Sequence, residues 1–177
     1  MNARWALGGI LMIATIAGAA MYYLQVYAYY EPVAADRLTQ LEMTSILSGE
    51  AEPIIADNIE AIDADSSPIR FRACFDSGTS LATMTETYQI YDDAVPLNAP
   101  GWFDCFDAGT IGARLESGEA IAFLGTKNIS YGVDRVIAVD ATGRGYAWHQ
   151  INRCGEAVFE GDPLPQGCPP PPEGTAR

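Results

Sequence analysis

Hydrophobic and polar positions follow three rhythms along this chain, and the first has no polar beat. Residues 5–30, WALGGILMIATIAGAAMYYLQVYAYY, carry no charged side chain. About twenty apolar residues at 1.5 Å rise per residue cover a hydrocarbon core of roughly 30 Å, so this stretch predicts one membrane-spanning helix. Small residues run through its middle, and Gly8, Gly9 and Gly18 would let a second helix approach closely. Tyr22, Tyr23, Tyr27, Tyr29 and Tyr30 form an aromatic belt at its far end, closed by Glu31-Pro32, while Trp5 serves the near end beside Arg4.

After the anchor the spacing turns helical for one stretch, where Leu38, Leu41, Ile46 and Leu47 predict a short helix over 33–47. Residues 48–53 break it. A period of two then takes over in 59–63 and resumes in 69–75. The turn residues Asp65-Ser66-Ser67-Pro68 lie between, which predicts a hairpin. Residues 83–91, TMTETYQIY, alternate as a third strand, and 92–101 is a loop with two prolines. In 102–118, Asp104 or Asp107 caps a helix whose inward face carries Phe106, Ile111 and Leu115 and whose end is Gly118. Strands at 120–124, 135–140 and 145–151 follow, the last two joined by the hairpin turn Asp140-Ala141-Thr142-Gly143. The tail is proline-rich and extended past Cys168.

These elements describe an α+β protein: one N-terminal transmembrane helix, then a small domain with an antiparallel sheet and one or two helices. The predicted boundaries are a cytoplasmic N-terminus at 1–4, the anchor at 5–30, a helical stalk at 31–57, the α+β domain at 58–160 and the tail at 161–177. The order ββ-α-βββ is also that of PAS-like and Cache-like sensor domains, an analogy of element order alone.

Charge supplies the orientation. Arg4 and the terminal amine precede the helix and acids follow it, so the positive-inside rule places the N-terminus in the cytoplasm and the domain in the periplasm of a bacterial inner membrane. The rival reading is a cleaved signal, because Ala17-Gly18-Ala19 resembles a cleavage site, but cutting there leaves a mature start near MYYLQVYAYY. Both readings export residues 31–177. Of the 10 basic side chains Arg4 alone lies in the first thirty residues, so nine face 23 acids in the exported part, a net charge of −14. Such a surface repels nucleic acid and suits a basic protein or a cation, or simply keeps the domain soluble.

Cys74, Cys105, Cys154 and Cys168 all lie in the exported part. An even count in an oxidising compartment reads as two disulfides, with three connectivities open; Cys74–Cys105 and Cys154–Cys168 are favoured, the second tethering the tail. No pair shares the CxxC spacing of a zinc or redox site. Candidate chemistry is sparse. His149, the only histidine, sits in a predicted strand, where a hydrogen-bonded core histidine is the simpler reading. Asp104 and Asp107 could pair as carboxylates but suit a helix cap. Trp102 and Trp148, with these three, are the residues that would line a ligand or partner cleft. Ser77-Gly78-Thr79-Ser80 lacks the nucleophile-elbow context, and the methionines are not clustered as in a copper carrier. No catalytic residue, metal or cofactor is assigned.

The segments AGAAMYYLQVYAYYE, RFRACF, GWFDCFDAGTIGARLESGEAIAFLG, YGVDRVIAV and GRGYAWHQINRCGE together resemble a family of small single-pass membrane-anchored alphaproteobacterial proteins of unknown function. The resemblance covers most of the chain and implies no activity. Some members are labelled histidine kinases, which the sequence does not support, having no phosphate-binding loop and no phosphoacceptor helix. The expectation is an accessory, assembly or interaction protein of an inner-membrane complex, docking through the Gly/Ala face of its anchor and, by charge, on a basic periplasmic protein. The alternatives are a periplasmic small-ligand sensor signalling through a partner, and a hydrolase or disulfide oxidoreductase.

Overall fold

The structure, a computed structural model, describes residues 3–33 and 41–173. Helix α1 (Ala3–Tyr23) continues through a π-helical turn, Leu24–Ala28. The segment Arg4–Ala28 is long and apolar enough to cross a membrane, and none of the residues in its apolar window is buried inside the protein. Its side chains have no intramolecular core to join, so lipid or a partner helix is the solvent they suit.

Beyond the anchor the elements are β1 (Glu31–Pro32), β2 (Glu42–Thr44), β3 (Ala51–Pro53), β4 (Ala56–Asp63), β5 (Arg72–Ser77), α2 (Leu81–Thr87), α3 (Ala108–Ser117), β6 (Ala120–Leu124), β7 (Val133–Asp140), β8 (Arg144–Ile151) and α4 (Arg153–Glu160). Six strands form one antiparallel sheet in the order β1-β4-β5-β8-β7-β6, and β2 and β3 form a separate hairpin. Cys74 lies opposite Tyr146, and Val136 opposite Trp148.

Both faces of the sheet are covered. On one, Ile62, Cys74, Val136, Ala138, Tyr146 and Trp148 pack against Ile111 of α3 and against Phe103 and Phe106 in the loop before it. On the other, Ala73, Phe75, Phe123, Ile137, Val139 and Ala147 pack against Leu41 and Met43 of the hairpin and Met84 of α2. This explains why β5, β7 and β8 carry runs of consecutive buried positions rather than alternate ones.

The hairpin at 59–75, helix α3 with Asp107 as its N-cap and Gly118 at its end, and the three last strands stand as the pattern predicts, although Phe106, expected on the inward face of α3, lies in the loop before it. Four expectations change. The predicted helix over 33–47 is strand and turn from Leu41 onward, residues 34–40 lying outside the described residues. Leu41 and Met43 point inward at strand spacing, and Ile46 and Leu47 are exposed at the hairpin turn. The described residues of 31–57 therefore form no helical stalk; β1 pairs with β4, and the sheet begins just after the N-terminal helix. Residues 83–91 do not form a strand: Ser80 caps the short α2 through the Thr83 N–H, and only Tyr88 and Ile90 make isolated bridges. The Thr-rich alternation mimicked a strand, while the local cap decided the matter. Helix α4, which closes the domain before the tail, had no periodic apolar signal long enough to mark it.

Candidate functional site

The N-terminal apolar helix meets the domain at one aromatic junction. The sequence Ala99-Pro100-Gly101-Trp102-Phe103-Asp104-Cys105-Phe106 builds it from below: a turn joins the Phe103 N–H to the Pro100 carbonyl at 2.9 Å, and Cys105 is bonded to Cys74 in the sheet. Phe103 and Phe106 are buried, which leaves Trp102 half-buried at the rim. Its indole N–H donates to the Val26 carbonyl at 2.7 Å, and its ring stacks on Tyr27 with centroids 6.3 Å apart. Tyr30 meets Trp102 edge-on, and the Arg70 guanidinium lies 5.7 and 5.6 Å from the Tyr29 and Tyr30 ring centroids. The last carbonyls of a helix lack partners within it. Trp102 supplies one, so the domain caps the helix that carries it.

The residues nominated from sequence do not converge on one cleft. Trp102 belongs to the junction. Asp104 is exposed. Asp107 accepts the Thr110 N–H at 2.6 Å, and that bond holds its carboxyl below the usual carboxylate range. Trp148 is fully buried at the centre of one face of the sheet, edge-on to Phe106, with its indole N–H directed to Gln150 Oε1 at 3.3 Å. His149, its neighbour on the strand, necessarily points to the opposite face. There it stacks on Phe71, and its Nδ1 lies 2.6 Å from the Pro68 carbonyl. A carbonyl only accepts, so Nδ1 carries the proton and Nε2 is left to accept the Arg135 Nε–H at 3.1 Å. Burial, then the neighbouring Arg135 charge, hold its pKa down at about 4. The imidazole is neutral, and both its nitrogens are engaged.

Sequence reading missed the residues that organise the polar interior. Arg72, 3% exposed, donates to four backbone carbonyls: Nε to Leu97 at 2.7 Å, Nη1 to Ile69 at 2.8 Å and Phe71 at 2.7 Å, Nη2 to Asn98 at 3.1 Å. It ties the proline-bearing loop 92–101 to the sheet, and burial lowers its pKa. Asp134, also buried, accepts the Asn128 N–H at 2.8 Å, the Asn152 amide at 2.7 Å and the Tyr91 hydroxyl at 3.4 Å. Asn152 Oδ1 in turn caps α4 through the Cys154 and Gly155 N–H groups. The Tyr91 phenol is pushed up to about 12 by burial and by the adjacent Asp134 charge. An Asn just before Arg153-Cys154 was the one readable cue to this cluster.

A cleft of about 690 Å³ opens over this end of the sheet, its wall including Gln89, Tyr91, Lys127, Asp134, Gln150 and Arg153. Neither Trp148 nor His149 lines it. Among the described residues no group of three or more His, Cys, Asp or Glu side chains is placed to hold a metal ion. All four cysteines are in disulfides, Cys74–Cys105 and Cys154–Cys168, which suits an oxidising compartment.

The chain belongs to a family of unknown function, DUF6446, whose model matches residues 41–169 and so spans the domain from β2 to the second disulfide without the anchor. No curated protein and no solved structure matches it.

Proposed function

We propose that this chain is a periplasmic accessory or interaction protein held at the bacterial inner membrane by its N-terminal helix, with the N-terminus in the cytoplasm. The observation that carries this reading is the contrast along the anchor. Its far end is gripped by the domain, while a side-chain carbon added at Gly8, Gly9 or Gly18 would meet nothing within 4 Å. A helix whose small residues are left open is suited to pack against another helix in lipid, where close backbone approach replaces the hydrophobic effect as the driving force. The two disulfides and the acidic surface fit an exported domain, and its charge favours a basic face on the partner.

The test is replacement of Gly8 and Gly18 by leucine in tagged full-length protein, followed by mild-detergent purification from native membranes and mass spectrometry. A companion present at stoichiometric level with the wild type should fall away with the variant. Unchanged recovery, or no companion with either, refutes the reading.

A second reading, a small-ligand sensor domain with PAS-like element order, draws support from the cleft beside Tyr91, Asp134 and Gln150. Concave sites with a few convergent polar groups are where small ligands bind. Under this reading the ligand site is that cleft and not the neighbourhood of Trp148 and His149, where the sheet is solid.

A further inference from the structure

We infer that the domain rests on the bilayer, with Trp102 inserted at headgroup level as a docking contact for lipid. The inference rests on the anchored reading above and adds where the domain lies relative to the membrane. In a spanning helix, depth is fixed by position along the axis. Trp5 and Tyr27 are 22 residues apart, roughly 33 Å at 1.5 Å per residue, which matches a hydrocarbon core of about 30 Å with one ring at each interface. Trp102 donates to Val26 and stacks on Tyr27, so it lies at the same depth as those two residues. A tryptophan held there is in the chemical setting it prefers, with its ring against the acyl boundary and its one polar atom satisfied.

Three further features agree. Trp102 stays half-buried against the protein, which leaves ring surface for lipid. Arg70, over the Tyr29 and Tyr30 rings, places a cation beside the same level, where lipid phosphates lie. No flexible spacer separates anchor from sheet, because Glu31 and Pro32 already pair with Asp63 and Ile62.

The test is tryptophan quenching in phosphatidylcholine vesicles whose acyl chains carry bromine near the headgroup end. Full-length protein with Trp5→Phe retains two emitters, Trp102 and the fully buried Trp148. Its emission should fall toward roughly half of the value in unbrominated vesicles, since one of two rings lies at bromine depth. The Trp5→Phe/Trp102→Phe protein, emitting from Trp148 alone, should be unaffected by bromine. Equal quenching of the two proteins overturns the inference. Vesicle flotation separates its failure from failure of the anchored reading. Protein that floats but is not quenched through Trp102 is anchored with its domain held off the surface; protein that does not float lacks the anchor, and both readings fall.

Discussion

Acid should destabilise this domain through His149, and the size of the effect follows from the structure. The folded state holds the imidazole neutral: Nε2 accepts from the Arg135 Nε–H, Nδ1–H donates to Pro68, and Phe71 covers the ring. A proton on Nε2 would remove that acceptor and set two cations in contact, with the Arg72 charge adding to the repulsion. The pKa is thus about 4 folded, against an ordinary 6.5 in the unfolded chain. Above the unfolded value neither state is protonated, and the group gives no pH dependence. As pH falls from 6.5 to about 4 the unfolded chain binds a proton that the folded chain refuses, so stability drops by about 1.4 kcal/mol per pH unit, about 3 kcal/mol in all. Below about 4 both states are protonated and the slope ends. Asp76 and Asp107 have lowered pKa values, and their stabilisation is lost only below the ordinary 3.8. Asp63 is raised, mainly by burial, so it works in the opposite sense and gains stability as pH falls. The assay is urea unfolding in non-ionic detergent from about pH 7 to about pH 4.5, comparing wild type with His149→Gln. The variant should lose about 1–2 kcal/mol at neutral pH through broken hydrogen bonds, yet show a flatter profile across the window. Asp63 titrates in both proteins and cancels in the comparison. Parallel profiles would refute the reasoning, because they would mean that His149 takes up its proton as readily folded as unfolded.

Two further outcomes follow from packing and cross-linking. Gly145→Ala would place a Cβ 2.2 Å from the Phe75 ring, which lies across the neighbouring strand, so a loss of about 1–3 kcal/mol is expected by thermal or urea unfolding. Adding Phe75→Leu should recover part of that loss relative to the sum of the single changes; strict additivity would show that the ring moves aside unaided. Replacing Cys154 and Cys168 by alanine removes a cross-link with a sequence separation of 14, worth about 3 kcal/mol in the chain-entropy model. The 161–168 segment should then be cut faster in limited proteolysis, although the Arg153 guanidinium still donates to the Gln166 carbonyl and the Tyr131 hydroxyl to Pro169. An unchanged cleavage rate would assign the tail's attachment to those hydrogen bonds.

Much of the architecture was legible because it is written in local periodicity. An uncharged run of anchor length, the alternation of β4 and β5 about a Ser-Pro turn, and Asp107 and Gly118 bounding α3 each act within a few residues, and the chain reads them in order. The cysteine pairing was legible too, because each favoured partner was the nearest along the chain and closed the shortest loop. Where local signals conflicted, tertiary contact prevailed. Leu41 and Met43 took up strand-like spacing, with Met43 in β2, where they cover the second face of the sheet, a contact that lies outside their own segment.

The sequence by itself thus determined the membrane-length helix, the α+β class, the end of α3 at Gly118 and an even cysteine set, since each depends on spacing or count alone. Only the tertiary structure decided that Trp148 and His149 serve opposite faces of one sheet, and that Arg72 and Asp134 are buried and satisfied. It alone joined Trp102 to the end of the anchor, 76 residues away along the chain. Those contacts link residues remote in sequence, and their strength comes from excluding water around hydrogen bonds and rings that no local pattern records.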